Sequence, residues 1–336
     1  MQIDVILDAR AGPEKITKLG LLAEQQGIRA VWTSSLIDAR DPYVNFSELA
    51  RSSSSIQMGP IAVNPFDTHP GRIATSLLSL NEVAQGRASI VIGGGGEALQ
   101  ALGIEPKRRV RAVAECIEII KSASPDELLN YTGEIFQISG YRPGWVTAKP
   151  PLVYAGANMN LMLKMAGRVA DGMMMSDMPP RLAHEALEKA LDSRHAAGRA
   201  TQGFKVNNFL AWHLYEDEDK ARKEARQWLA LRGLFRRWVM TTFLSDTDYD
   251  IIEAHQAEFY RATAERTHVI EGVPDRILDS LVDHLTLAGH VNTIDAKIAH
   301  LQEFKEAGLT EVALRLYDEP AASIRLIGEC VVPALQ

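Results

Sequence analysis

The stretch IQMGPIAVNPFDTHPGRIATSLLSLNEVAQGRASIVIGGGGE, residues 56–97, contains one complete strand–helix–strand unit. Residues 56–63 are short and apolar, which is typical of a strand buried on both faces. Apolar residues then recur at helical spacing until Gly86, which stands where a glycine commonly ends a helix. Residues 88–93 have the composition of the next strand. Two strands joined by a helix in this way predict parallel pairing through a crossover connection.

The same alternation continues along the whole chain. Eight segments have the length and composition of buried strands: residues 3–8, 30–34, 56–63, 88–93, 152–156, 172–176, 206–215 and 311–317. Helical patterns lie between them. Eight strands alternating with helices predict an α/β fold of the (β/α)8 or TIM barrel type, formed by residues 1–336 as a single domain.

Residues 216–290 depart from this alternation, because they form a mostly helical insertion between the seventh strand and the last strand–helix units. The segment is too long for a connecting loop. Either it packs outside the barrel or against a partner subunit, or it forms a lid over the barrel mouth. It carries four residues able to meet an anionic or aromatic ligand: Arg232, Arg236, Arg237 and Trp238. The alternative is that these arginines pair with the many acids nearby.

Composition limits the possible partners. The net charge of −7 argues against a nucleic-acid or anionic membrane surface, and no apolar run reaches the length of a membrane span. The two cysteines form no CxxC pair, and the histidines lack metalloprotease spacing, so no metal site is expected. We expect a cytoplasmic protein that acts on a small molecule, with no nucleic-acid or membrane partner. Barrels with helical insertions commonly pair, so a homodimer is expected.

Two glycine- and proline-rich segments follow the third and fourth predicted strands, at the end of the barrel where active sites lie. Residues 59–70 contain prolines and Asn64, which fix an unusual chain path, although a rigid turn into the next helix would also explain them. Residues 93–99 read GGGGEAL. Successive glycines let the backbone approach a ligand closely, but they also suit simple packing of a loop. Glu97 would place a carboxylate at the barrel mouth.

A third segment, residues 155–160, follows the fifth strand and opens the next helix. Asn158 or Asn160 is a good N-cap residue, and the free N–H groups of the helix start would suit a phosphate. Capping alone needs no ligand. The three segments together therefore predict a ligand site whose members each have a structural alternative.

Taken in order, four motifs resemble the luciferase-like flavin-dependent oxidoreductases. They are GPxxxNPFxxHP at 59–70, NEVAQGR at 81–87, IGGGGEAL at 92–99 and AGRVADG at 166–172. The closest likeness is to methylenetetrahydromethanopterin reductase and its relatives that use the deazaflavin coenzyme F420. It covers residues 1–180 well and the last units more loosely.

The resemblance implies a role for each segment. A non-prolyl cis peptide between Ile61 and Ala62, followed by Asn64, would back the tricyclic ring. The loop from Gly95 to Ala98 would hold the ribityl and phosphate region. The residues implied to bind the cofactor are Ile61, Ala62, Asn64, Gly95, Gly96, Glu97, Ala98, Asn158, Met159 and Asn160. Two acids are implied to be catalytic, Glu97 beside the ring and Asp8 near the substrate.

The resemblance leaves the substrate and the exact cofactor open. Ser35-Leu36 stands where relatives often carry Asp-His, so the histidine that assists sugar oxidation is absent. We expect a coenzyme F420-dependent oxidoreductase that transfers a hydride to or from a small organic substrate. An FMN-dependent luciferase-like monooxygenase is the alternative enzyme, and a non-catalytic flavin-binding protein is the alternative from another class. A metal-dependent aldolase or phosphosugar isomerase would need more Lys, His or paired acids at the strand ends.

Overall fold

A computed structural model describes residues 1–336 of the chain, with every side chain except that of Glu97. Its strands are β1 (Gln2–Leu7), β2 (Ala30–Ser34), β3 (Gln57–Ile61), β4 (Ser89–Ile92), β5 (Leu129–Thr132), β6 (Gln137–Tyr141), β7 (Leu152–Gly156), β8 (Gly172–Ser176), β9 (Lys205–Tyr215), β10 (Thr286–His290) and β11 (Glu311–Leu316). Strands β5 and β6 form a separate antiparallel pair, and the other nine belong to one parallel sheet.

Helices follow most of the strands of the large sheet. They are α1 (Pro13–Gln25), α2 (Pro42–Asn45), α3 (Ser47–Ser52), α4 (Pro70–Val83), α5 (Glu97–Ala101), α6 (Arg109–Ser122), α7 (Asn160–Val169), α8 (Pro180–Ala196), α9 (Glu218–Gln227), α10 (Arg237–Met240), α11 (Asp246–Ala254), α12 (Gln256–Glu265), α13 (Asp275–Leu285), α14 (Ile294–Glu306), α15 (Pro320–Leu326) and α16 (Val332–Leu335). Helices α9 to α13 make up the insertion.

The large sheet is a barrel of the predicted (β/α)8 type, which confirms the fold expected from the sequence. Its strand order is β3-β2-β1-β11-β9-β8-β7-β4. Isolated bridges between Met58 and Ala88 and between Val63 and Ile92 join the two ends of this order. The strands run parallel, so all their C-terminal ends lie at one mouth.

The insertion is not helical to its end, because β10 precedes the last helix of the barrel. Strand β9 is eleven residues long, and β8 pairs only with its first half, Lys205 to Phe209. Strand β10 pairs with Ala211 to Tyr215 of the same strand. Ala211 and Trp212 also pair with β11, so β10 must lie on the edge of β9 where β8 stops. The insertion thus returns to the barrel and extends its wall at the mouth.

The closed end of the barrel contains a buried cluster of charges. Arg29 lies 2.5 Å from Asp4 and 2.9 Å from Glu311, and both carboxylates are fully buried. Trp32 and Asn207 each donate a hydrogen bond of 2.9 Å to Asp4. Burial alone would lower the pKa of Arg29, but the two carboxylates raise it well above its ordinary value. Burial also raises the pKa of Glu311, assisted by Asp4 and opposed by Arg29.

A layer of apolar side chains lies between this charged cluster and the mouth. Its members come from eight strands and pack against one another: Ile6, Trp32, Ile61, Val91, Tyr154, Met174, Phe209 and Ala313. Such a layer fills the barrel as a core, so the barrel is not a pore. Ligands can therefore enter only from the mouth. Across residues 1–336, no helix combines the length and the apolar character needed to cross a membrane.

The join between β3 and β4 depends on Gly59. A Cβ atom at this position would collide with the carbonyl oxygen of Ser89, a backbone atom of β4. We expect Gly59→Ala to destabilise the fold by about 1–3 kcal/mol, near the upper end because backbone cannot move aside. The free energy of unfolding in urea measures the effect. Gly144→Ala is the matched control, because nothing lies within 4 Å of the added methyl group; equal losses in both variants would contradict this account.

Candidate functional site

The inner face of the barrel mouth is lined by residues that continue the alternation of the apolar layer. Side chains alternate between the two faces of a strand, so residues two positions beyond that layer also face inward, except on β3, where Val63 packs in the outer core. The set comprises Asp8, Ser34, Gly93, Gly156, Ser176, Ala211, Arg315 and, one step further, His213 and Tyr317. Glycines lie on the β4–β7 side, and large polar or aromatic residues lie on the side of β9 and β11. The mouth therefore has two chemically different halves.

The three segments predicted from sequence meet on the glycine side. Gly93 donates a hydrogen bond of 2.8 Å to the carbonyl of Val63, next to the end of β3. A Cβ atom on Gly93 would come within 2.9 Å of the methyl group of Ala62. A Cβ atom on Gly156 would lie 3.6 Å from the Cα of Gly93. The absence of side chains at Gly93 and Gly156 lets the ends of β3, β4 and β7 pack closely together, with Ala62 exposed at their edge.

The peptide bond between Ile61 and Ala62 is trans, as are the others in residues 1–336, so the predicted cis bond was wrong. The carbonyl of Ile61 accepts a 2.7 Å hydrogen bond from the N–H of Ser35. Two residues on, the N–H of Val63 donates to Val91 at 2.9 Å. These bonds continue the extended chain between its two neighbours, and this path is compatible with the lower-energy trans form.

Asn64 shapes the turn that follows β3. Its Oδ1 accepts hydrogen bonds from the N–H groups of Phe66 and Asp67, at 2.9 and 3.2 Å. Its Nδ2 donates to the carboxylate of Asp67 at 2.7 Å. The side chain is thus occupied within its own loop. Asn64 is buried beside Gly95, so it packs against the glycine-rich segment.

The glycine-rich loop has two different requirements for glycine. Gly95 has a φ of +72°, and a Cβ atom there would collide with Leu99. Gly96 has no neighbouring atom within 4 Å of the position of a Cβ, so it faces open space. Helix α5 begins directly after it, with Glu97 as the first residue and half-buried Ala98 as the second. The side chain of Glu97 lies outside the described part of the structure.

The third segment does not cap its helix as the sequence suggested. Asn158 accepts a hydrogen bond of 3.0 Å from the N–H of Ser176, and its Nδ2 contacts the Ser176 hydroxyl at 3.3 Å. The N-cap of α7 is Met159, an exposed residue with no capping side chain, and exposed Asn160 is the first helical residue. Asn158 does not cap the helix because its side chain bonds Ser176 at the end of β8 instead. The first N–H groups of α7 are therefore left for solvent or an anion.

Asp8 and Glu97 stand on different sides of the mouth. Asp8 follows β1, where it is exposed and accepts a hydrogen bond of 3.1 Å from the N–H of Arg10. Glu97 follows β4, three strands away around the barrel. The structure thus brings the predicted cofactor residues together on one side and sets Asp8 apart from them.

The insertion contributes two arginines to the mouth. Arg236 donates to the carbonyl and the hydroxyl of Ser176, at 2.7 and 2.8 Å. Arg232 lies 4.8 Å above the ring of Phe209 and 3.5 Å from Asp177. Burial lowers the pKa of Arg236 and raises that of Asp177. The insertion therefore packs directly on the ends of β8 and β9.

The other two residues of the predicted cluster point elsewhere. Arg237 is exposed and pairs with three acids of the insertion, Asp246, Asp250 and Glu253. Trp238 is also partly exposed and lines an apolar groove beside α7 and α8. The expected cluster is thus divided between a buried pair that faces the barrel and a solvent-exposed pair.

A cavity of about 630 Å³ lies between the insertion and the glycine side. It is lined by Gln100 of α5 and by Gln256, Ala257 and Tyr260 of α12. Helix α12 therefore bounds the mouth opposite the loop that carries Gly95 and Gly96.

An aromatic and polar group on the other half of the mouth was not predicted from the sequence. His213 stacks on Tyr317 with ring centroids 4.5 Å apart, and Trp228 of the insertion stacks on the same tyrosine at 5.3 Å. Glu224 lies 2.8 Å from His213 Nδ1 and accepts a 2.5 Å hydrogen bond from the Tyr215 hydroxyl. The signal was present in the alternation of β9, because residues 209, 211, 213 and 215 share the inward face.

Burial decides the charge of this histidine. It lowers the pKa of His213, while Glu224 opposes part of the shift. The imidazole is therefore neutral at neutral pH, with its Nδ1 proton directed to Glu224. Its Nε2 has no hydrogen-bond partner among the described residues. In the same part of the chain, no group of three or more His, Cys, Asp or Glu residues is arranged to hold a metal ion.

Comparisons with known proteins agree with the resemblance seen in the motifs. The family model described as "Luciferase-like monooxygenase" matches residues 1–311. The chain is 26% identical to 5,10-methylenetetrahydromethanopterin reductase of Archaeoglobus fulgidus, over 94% of both proteins. Two solved structures share the fold. The coenzyme F420-dependent tetrahydromethanopterin reductase of Methanopyrus kandleri has a TM-score of 0.82 and 22% identity, covering 100% of this chain and 99% of that one. The oxygenating component of 3,6-diketocamphane monooxygenase of Pseudomonas putida, in complex with FMN, has a TM-score of 0.67 and 17% identity, covering 100% and 99%. By its match over residues 1–311, the chain belongs to the luciferase-like monooxygenase family.

Proposed function

We propose that this protein is an oxidoreductase that uses coenzyme F420 to transfer a hydride to or from a small organic substrate. The observation that carries the proposal is the exposed surface at Ala62 and Gly96, which Gly93 underlies, beside the uncapped start of α7. A flat ring needs a surface without side chains, and a phosphate needs free N–H groups. Both occur on the same side of one mouth. The relatives named for a methanopterin reductase and for coenzyme F420 supply the choice of cofactor.

The residues on this side fit such a cofactor by their shape and hydrogen-bonding groups. The ring would lie against the chain at Ile61 and Ala62, which Asn64 supports through its turn. Gly95, Gly96 and Ala98 would border the ribityl chain, and the backbone of Asn158, Met159 and Asn160 would face the phosphate. When bound, the cofactor supplies a ring carbon that gives or accepts hydride. The protein positions it and excludes water with the insertion.

Glu97 and Asp8 are proposed as the catalytic acids. Glu97 begins the helix that follows the glycine-rich loop, so its backbone lies beside the proposed ring position. Asp8 lies at the end of β1, on the side of the mouth that the ring leaves free. A carboxylate at each place can hold a proton near the reacting atoms or near the substrate.

FMN is the alternative cofactor, because a solved structure with the same fold holds it. A peroxyflavin monooxygenase would use the same surface for its ring. A non-catalytic flavin-binding protein is less consistent with the mouth, where polar groups such as His213 and Arg232 lie buried without full hydrogen bonding. Buried polar groups without partners cost stability, and this cost is typical of functional sites rather than storage sites.

A homodimer and a cytoplasmic location are also part of the proposal. Exposed apolar residues after β2, namely Leu36, Ile37 and Val44, offer a surface for a second copy. Sedimentation velocity of the purified chain measures the number of subunits, and a monomer at micromolar concentration would exclude the dimer.

Titration with the two cofactors tests the proposed function directly. We expect F420 to bind with a saturable change in its fluorescence and FMN to bind at least tenfold more weakly. Gly96→Ala should weaken F420 binding by about tenfold, equivalent to about 1.4 kcal/mol, because the methyl group enters the space assigned to the cofactor. Its melting temperature should not change, since that space is empty of protein atoms. Tight FMN binding without F420 binding would replace this proposal with the monooxygenase.

Arg236 should support the cofactor turn through Ser176. Arg236→Gln removes charged hydrogen bonds to Ser176, which in turn holds Asn158. We expect a loss of stability of about 1.5–3 kcal/mol and weaker F420 binding. Arg237→Gln is the matched control, because its ion pairs are exposed and contribute little. If both variants bind F420 as the parent protein does, Arg236 has no part in the cofactor site.

Glu97 is tested by removing its charge while keeping its size. Glu97→Gln should leave the melting temperature and the F420 affinity nearly unchanged. Hydride transfer should slow by roughly 10²–10⁴-fold, as expected for the loss of a proton-transfer group. Single-turnover oxidation of reduced F420, followed by absorbance, measures the rate once a substrate is known. An unchanged rate would remove Glu97 from the catalytic residues.

A further inference from the structure

We propose that Arg232 and Arg315 bind an oxyanion of the substrate, a carboxylate or a phosphate, on the half of the mouth formed by β9, β11 and β1. The inference deepens the proposed function and rests on it, because the position of the cofactor defines which half remains for the substrate. It names the substrate class as an organic oxyanion.

Arg315 forms no ion pair within the described part of the chain, although the carboxylate of Asp8 lies near enough to raise its pKa. It lies on the inward face of β11, where Nη1 donates a hydrogen bond to the carbonyl of Leu7. Its guanidinium lies 5.3 Å from the centre of the Tyr317 ring. No described carboxylate comes within 4.0 Å of it, whereas Arg222, Arg232 and Arg237 of the insertion form ion pairs. A partly buried cation without a counter-ion is costly unless a ligand supplies the anion.

Arg232 forms one ion pair, in which the distance between the charged atoms is long. It is only 3% exposed, and its Nη1 lies 3.5 Å from the Oδ1 of Asp177. Its Nε and the Oδ2 of Asp177 both lack hydrogen-bond partners among the described atoms. Burial raises the pKa of Asp177, while Arg232 and Arg236 oppose part of the shift, so this carboxylate is shared between two arginines. A donor group on Arg232 thus remains available to a ligand that enters the mouth.

The two guanidinium groups face the same space. The guanidinium of Arg232 lies over the ring of Phe209. Phe209 pairs with Ala313 on β11, and Arg315 lies two positions further along the same face of that strand. Burial lowers the pKa of Arg315, and the charge of Arg232 lowers it further, while Tyr317 and the carboxylate of Asp8 oppose part of the shift. One anion between the groups would relieve both the desolvation and the repulsion.

Strand order places this pair across the mouth from the cofactor side. Strand β11 lies four positions from β4 in either direction around the eight-stranded ring, and β9 lies four positions from β3. A substrate whose reacting atom meets the ring would therefore extend its charged end toward Arg315 and Arg232. His213 Nε2, an acceptor, and Trp228 Nε1, a donor, lie nearby without partners in the described structure and would select a further polar group.

The test uses the full-length protein loaded with F420 and two simple probes, benzoate and phenyl phosphate, with benzamide as the neutral match. We expect either oxyanion to change the F420 fluorescence in a saturable way, with benzamide at least tenfold weaker. Arg315→Met should weaken oxyanion binding by about 10- to 100-fold and leave F420 affinity unchanged. Its melting temperature without ligand should stay equal or rise, because an unpaired charge is replaced by an apolar chain.

Two further variants keep the inference falsifiable. Asp177→Asn combined with Arg232→Met removes the second pair without leaving a lone buried charge, and it should weaken oxyanion binding in the same way. Arg237→Met, an exposed and ion-paired arginine of the insertion, should bind the probes like the parent protein.

The outcomes separate the two proposals. Oxyanions that bind no better than benzamide, or that bind Arg315→Met and the double variant unchanged, overturn the inference. Arg315→Met that loses F420 affinity but keeps affinity for the deazaflavin riboside without phosphate also overturns it, since the arginine would then serve the cofactor. If the protein binds no F420, oxyanion binding is measured by calorimetry instead, and binding that still depends on Arg315 supports the inference while the proposed cofactor fails.

Discussion

Arg29, held between Asp4 and Glu311, is the contact on which the rest of the barrel depends. Two carboxylates and one guanidinium inside a protein are stable only when each finds its partners, because desolvated charges are costly alone. Arg29 precedes β2, Asp4 lies on β1, and Glu311 begins β11, so the cluster joins three adjacent strands at the closed end. Tyr154 and Asn207 extend it to β7 and β9. If any of these strands shifted by one residue, its charged side chain would point to the outer face of the barrel, away from its partners. The cluster therefore fixes the register of these strands.

Register at the closed end determines what faces the mouth. Alternate residues of a strand share one face, so the inward residues of each strand belong in turn to the charged cluster, the apolar layer and the mouth. On β11 the same face carries Glu311, Ala313 and Arg315, and on β1 it carries Asp4, Ile6 and Asp8. One half of the mouth is built from positions without side chains and the other from arginine, histidine and aromatic residues. The division lets one rigid frame present a smooth surface and a polar surface to each other.

The sequence predicted those features that depend on local pattern. Strands β2, β7 and β8 begin and end where their apolar runs do, and Pro70 and Pro180 begin helices as N-terminal prolines commonly do. One of the family motifs, NEVAQGR at 81–87, has structural tasks that pattern alone could not assign. Asn81 bonds the carbonyl of Lys149 and the N–H of Ala88, and Arg87 bonds the carbonyls of Ala50 and Ile56. These contacts connect the βα units on the side of the barrel where β3 and β4 meet.

Features that depend on distant partners were wrong or missed. Asn158 has the residue type of a cap, but Ser176, eighteen residues later, takes its side chain. Strand β10 is short and contains a glycine, so its pairing with β9 follows from the length that β8 leaves unpaired rather than from its own sequence. The peptide bond after Ile61 is trans, and hydrogen bonds on either side of it join the chain to Ser35, just after β2, and to Val91 of β4. His213 is marked as a site residue by its contacts with Glu224 and Tyr317, which are distant from it in the sequence.

The join between β3 and β4 gives the barrel an uneven resistance to opening. Other neighbouring strands share continuous ladders, whereas this pair is joined by isolated bridges near Met58 and Val63. Local opening of a protein follows the path that breaks the fewest contacts, so amide protons along this line should exchange with solvent before those of β1 or β11. The same line runs beneath Ala62 and Gly93. The wall beneath the glycine side is therefore also the part of the barrel that opens locally at the lowest free-energy cost, on the slow timescale that hydrogen exchange records.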